Sequence, residues 1–150
     1  MAALILAGCG GSPPAKPQVV RGAGYRFAAP AGWHVHRTRL AVTAQRQAAL
    51  VQVSTFPLVK EYRPALFAAV SRELQTRMRQ VALQMGGTVS DVGEVTSGGV
   101  RSHVYRVEAG GLVDEYTFVL VGRREYQLLC RAKQAGDATC SQLQTSFVLA

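Results

Sequence analysis

The chain has 150 residues, 48% of them hydrophobic and 17% charged, with a formal net charge of +8. That suits one domain near the modal size, with enough apolar residues for a core that folds without help from metal. Fourteen of the 17 basic residues are Arg, spread along the chain rather than gathered in a block, a pattern of solvated faces that speaks against nucleic acid as a partner.

An apolar run, Ala2-Ala3-Leu4-Ile5-Leu6-Ala7, leads into Gly8 and Cys9, and Gly10-Gly11-Ser12-Pro13-Pro14 follows. Leu6-Ala7-Gly8-Cys9 resembles the lipobox of bacterial lipoproteins. The resemblance implies a thioether-linked diacylglycerol on Cys9, cleavage before it, and a mature protein held at the outer face of a membrane. Only eight residues precede Cys9, none of them Lys or Arg, so residues 1–8 are expected to be part of a signal peptide. No apolar run approaches the ~20 residues that a spanning helix needs, so the lipid is the expected membrane anchor. Charge attraction then favours anionic lipid headgroups or acidic wall polymers as partners.

Residues 9–23 read as the lipidated cysteine and a flexible Gly/Ser/Pro-rich tether, and residues 24–150 as the globular domain. Tyr25-Arg26-Phe27 has strand alternation, and Pro30-Ala31-Gly32 supplies a turn. Trp33, Val35 and Arg37 then share one strand face, with His34, His36 and Thr38 on the other. Leu40 to Arg46 and Ala49 to Phe56 read as two more strands, with Pro57 ending the second. From Pro64, Leu66, Val70, Leu74, Met78, Val81 and Met85 recur at helical spacing over about six turns until Gly86-Gly87. Glu73 and Arg77 are spaced for an i,i+4 ion pair on the outer side. Val89 to Val95, Val100 to Val107, Val113 to Val121 and Glu125 to Lys133 read as strands, with Gly122-Arg123-Arg124 a tight connection between the last two. Thr139-Cys140-Ser141-Gln142 has the spacing of a capping box for a short helix carrying Leu143 and Phe147.

These elements describe an α+β domain: an antiparallel sheet of about six or seven strands, with one long helix and a short C-terminal helix packed on it. Tyr25-Arg26-Phe27 followed by Pro30-Ala31-Gly32-Trp33 resembles the opening of the PsbP-like fold. That group also includes the Ran-binding Mog proteins and exported lipoproteins of the LpqN type. The ending, a strand over Arg124 to Ala132 and a helix closing on Thr145-Ser146-Phe147, is similar too. The resemblance implies binding or assembly work rather than catalysis, and brings no active site.

Taking Cys9 for lipid leaves Cys130 and Cys140. An exported compartment favours a bridge between them, with two buried free thiols as the alternative. Tyr126, Leu128 and Cys130 share a strand face, and Cys140, Leu143 and Phe147 a helix face, so packing would bring both sulfurs into one layer. The pair lacks C-x-x-C spacing and reads as structural. His34 and His36 project to one face and, with His103, could supply a zinc or copper site, but no acidic or cysteine ligand accompanies them at a recognised spacing. Surface histidines are the expected reading, with no cofactor. Ser71, Ser102 and Ser141 lack a nucleophile-elbow frame, Asp114 and Glu115 point to opposite faces, and Asp91 and Glu94 read as solvated, so no enzyme is expected.

The expected function is a membrane-anchored, non-catalytic binding or assembly module for an envelope protein complex, with Trp33, Tyr25, Tyr62 or exposed Arg as contact residues. For Trp33 the core reading is preferred. The alternative is a lipoprotein that binds a small molecule or lipid in a pocket between the long helix and the sheet, lined by the stripe from Leu66 to Met85.

Overall fold

Residues 12–150 are described by the structure, a computed structural model. In chain order they form β1 (Gln18–Gly22), β2 (Tyr25–Ala29), β3 (His34–Arg37), β4 (Ala41–Arg46), β5 (Ala49–Tyr62), α1 (Phe67–Gln84), β6 (Thr88–Ser97), β7 (Val100–Ala109), β8 (Leu112–Ala132), α2 (Ala138–Ser146) and β9 (Val148–Leu149). The domain is α+β. β3-β4-β5-β8-β7-β6 make an antiparallel six-stranded sheet, and β1-β2-β9 a separate three-stranded one. Cys9 and residues 1–8 lie outside the described residues. Gln18–Gly22, read from sequence as tether, is instead a strand paired to β2, with Val20 buried against the core.

Strand β8 organises the large sheet. Its first part pairs with β7, from Ala109↔Leu112 to His103↔Phe118, and its second part pairs with β5, from Tyr62↔Gly122 to Leu50↔Arg131. The break expected at Gly122 is a bulge in one 21-residue strand. Gly122 takes φ 56°, a left-handed conformation that glycine adopts at no steric cost. Tyr116, Phe118 and Leu120 face α1, whereas Tyr126, Leu128 and Cys130 face the small sheet. Even-numbered residues therefore change sides across the bulge, as one inserted residue requires.

Pro57 does not end β5 either. It stands opposite Arg124, and pairing resumes at Tyr62↔Gly122, so four residues of β5, Leu58 to Glu61, stand against Arg123 alone. Proline has no N–H for the ladder, and the chain swells outward there before rejoining β8.

The two faces of the large sheet carry separate cores. On one, Val20, Tyr25, Phe27 and Ala29 of the small sheet meet Val51, Val53, Leu128 and Cys130, with Leu143 of α2 and Phe147 closing the layer. On the other, α1 lays Leu74, Met78 and Ala82 against Tyr105, Val107, Phe118 and Leu120. The expected stripe is only partly covered: Leu66 and Met85, at its two ends, are exposed, and Ala82 joins the buried face. Pro64 opens a short 3-10 turn (Pro64–Leu66) ahead of α1. At the other end Gly86 donates to the Leu83 carbonyl and Gly87 to the Ala82 carbonyl, the paired bonds of a Schellman cap. In α2 the cap is Asp137, whose carboxylate accepts from the Thr139 N–H at 2.8 Å, rather than the expected box starting at Thr139.

Candidate functional site

The swelling of β5 and the first half of α1 enclose a groove of about 650 Å³. One wall is Leu58 to Tyr62, the other Leu66, Ala69, Val70, Glu73, Leu74 and Arg77, with Leu120 and Glu125 as floor. Two features hold it open. The extra residues of β5 push that wall away from the sheet, leaving Val59 91% exposed. At the floor, the Arg77 guanidinium donates to both carboxylate oxygens of Glu125, at 3.0 and 3.1 Å, and stands 4.9 Å from the Phe118 ring centre. Glu125 is almost fully buried, and a buried carboxylate without such a partner would be costly.

The charge layout follows from that pairing. Arg77 turns inward to Glu125 rather than to Glu73 as the helical spacing predicted, and among the described residues Glu73 has no cationic partner within 4 Å. Glu61 pairs with Arg63 at 3.6 Å in full solvent. Three of the nine Asp and Glu residues of a chain with net charge +8 therefore line one groove. Tyr62 links it to a second hollow of about 330 Å³ bounded by Pro64, Phe67, Arg101 and Val121. Burial raises the Tyr62 phenol above its ordinary range, with Arg101 opposing the shift.

Behind that hollow, Phe67 packs on both Arg101 and His103, at 4.1 and 4.3 Å. Glu94 takes two bonds from Arg101, at 2.7 and 2.9 Å, which lower its carboxyl below the usual range. The Ser71 hydroxyl meets His103 Nε2 and donates to the Phe67 carbonyl at 2.6 Å. His103 Nδ1 is buried with no hydrogen-bond partner, so no carboxylate orients this Ser–His pair in the manner of a hydrolase triad.

The other expected residues fall elsewhere. His34 and His36 are exposed on edge strand β3, four strand positions from His103 on β7, so the three do not converge. No group of three or more metal-ligating side chains occurs among the described residues. Cys130 and Cys140 are bridged, Cα to Cα 5.3 Å, inside the core beneath α2. Tyr25 is buried, its hydroxyl donating to the Val53 carbonyl at 3.1 Å, which removes it from any interface. Trp33 packs half-buried against the same core. Of the expected contact residues, Tyr62 lies at the groove. The sequence reading missed the buried acids: Asp114 accepts two bonds from Arg131, at 2.6 and 2.7 Å, and Glu115 accepts from Arg106 at 3.2 Å and Gln144 at 2.8 Å.

No protein-family model matches the sequence, and no curated protein does. Solved structures share its fold. Cyanobacterial PsbP (CyanoP) from Synechocystis sp. PCC 6803 is similar with a TM-score of 0.66 at 14% identity, over 97% of this chain and 99% of that one. A crystal structure from Bacteroides thetaiotaomicron is similar with a TM-score of 0.51 at 10% identity, over 91% of this chain but 49% of that one. At such identities the likeness is one of fold.

Proposed function

We propose that the chain is an exported lipoprotein, anchored through Cys9, whose domain is a non-catalytic binding module that receives a segment of an envelope protein in the groove beside α1. The groove carries this reading. Leu58, Val59, Leu66 and Val70 offer apolar contact, while Glu73 offers an unpaired carboxylate to a Lys or Arg of the incoming segment. The PsbP-like fold and the lipobox support a tethered assembly role.

A second reading keeps the same groove for a small apolar molecule or lipid, and its volume is within the range of small-molecule sites. Five charged side chains line it, Lys60, Glu61, Glu73, Arg77 and Glu125, and an acyl chain laid among them would strip their water without return. That favours a polypeptide.

The test places a photo-crosslinking residue at Val59 in the full-length protein in its native membranes. One protein partner captured from Val59, lost on Glu73→Arg and retained on Arg79→Glu, is the expected result. Lipid co-purifying with the domain and no captured protein would move the reading to the second form. A diacylglycerol mass on the peptide bearing Cys9, absent in Cys9→Ser, is expected in either form, and an unmodified Cys9 in the native protein would defeat the lipid anchor.

A further inference from the structure

All nine Asp and Glu residues occur at or after Glu61, whereas residues 1–60 hold seven of the 17 Lys and Arg. The strands of that acid-free stretch include β1, β2 and β3, which lie together. Arg21 and Arg26 are direct cross-strand partners of the small sheet and so share its outer face, since Val20, Tyr25 and Phe27 occupy the inner one. Arg37 of β3 reaches the edge of the same sheet, its guanidinium donating to the backbone carbonyl of Arg21 on edge strand β1 at 3.5 Å. Among the described residues no carboxylate stands within 4 Å of any of the three. Like charges placed directly opposite cost stability, so the fold maintains this cluster against its own repulsion. Two exposed valines bracket it: Val19 at 63% exposure and Val148, the β9 partner of Arg26, at 40%.

We infer that this outer face is a seat for an anionic membrane surface, the arginines meeting lipid headgroups and Val19 and Val148 entering the interfacial layer. Charge complementarity argues for the occupant, and so does the entry of the chain. Cys9 precedes Gln18, the first residue of β1, by nine positions, a contour of at most about 30 Å, so a lipid on Cys9 would hold the small sheet near the bilayer. The small sheet and α1 cover opposite faces of the large sheet, so seating the one turns the groove beside the other away from the bilayer. Charge and exposure on the described residues carry the inference; the entry of the chain adds to it only where Cys9 is acylated as proposed above, and occupation of the groove is not required.

The test uses the full chain with Cys9→Ser, so that no acyl chain contributes, in sedimentation with vesicles of phosphatidylcholine alone or mixed with phosphatidylglycerol. Binding is expected only to the mixed vesicles. Replacing Arg21, Arg26 and Arg37 together by Gln is expected to lower it about a hundred-fold, each arginine near a charged surface contributing about five-fold. A control with Arg72→Gln and Arg79→Glu loses the same three units of charge and is expected to stay within about two-fold, because both sites lie on α1, on the opposite side of the large sheet from the seated face. Val19→Asp, which leaves the arginines in place, is expected to weaken binding as well, and melting curves of all variants confirm that they fold. Equal loss in the triple variant and the control, equal binding to neutral vesicles, or equally tight and arginine-dependent binding to soluble poly(glycerol phosphate) would each overturn the inference. The Val59 crosslink is read separately, so failure here leaves the groove untouched, and the reverse.

Discussion

On the face of the large sheet covered by β1-β2-β9 and α2, Phe27, Leu128, Leu143 and Phe147 are each at most 1% exposed and a disulfide closes the layer. On the face covered by α1, the helix buries Leu74, Met78 and Ala82, while Leu66 remains 43% exposed beside the groove. The difference lies in the shape of the cover. A second sheet lays side chains over several strands at once, whereas one helix presents a single stripe and leaves the sheet beyond it bare. The sealed side holds the fold, and the uncovered side is free to bind.

The largest effect that could break this contrast is in core truncation. Phe147→Ala is expected to cost about 3–5 kcal/mol in urea unfolding, and Leu66→Ala less than about 1 kcal/mol. Similar costs at the two sites would mean that α1 seals its face as tightly as the small sheet does. Next comes the bridge. Replacing Cys130 and Cys140 together by Ala is expected to cost about 3 kcal/mol, the value for a loop this short, and a loss below about 1 kcal/mol would remove the disulfide from the account of the sealed side.

The smallest effect is alkaline. Burial raises the phenol of Tyr25 on the sealed side and those of Tyr105 and Tyr116 under α1 above their ordinary value. Because the folded values exceed the unfolded ones, this stabilisation is complete below about pH 10 and is lost as pH rises through the folded values. Melting curves from pH 8 upward, with the phenolate absorbance, are expected to show stability falling only above about pH 10. Ordinary titration of Tyr105 and Tyr116, with Tyr25 still raised, would sharpen the contrast by placing water under α1.

Fold class, the long helix and the cysteine pair were legible in the sequence because each rests on local periodicity or on simple pairing. The two misread strand ends share one cause. Pro57 and Gly122 carry the chemistry of breaks, but a bulge and a turn use the same residues. Only the partner strand decides between them, and here the two residues flank an interruption in the β5–β8 pairing that continues on its other side. That interruption opens the groove, so the site was hidden where the reading stopped both strands. The same holds for Arg77: its helical neighbour Glu73 is four residues away, and the partner it takes, Glu125, is 48 residues away. Asp114 and Glu115 were placed correctly on opposite faces, but which donors reach them depends on β7, α2 and the far end of β8.

Strand β8 also sets the timetable of assembly. The hairpins β4–β5 and β6–β7 precede it in the chain, and each holds one lateral edge that only β8 satisfies. Until residue 132 has emerged, both hairpins wait with those edges open, the condition in which strands join the wrong neighbour. A nascent chain of this design gains from being kept extended until its last third is made.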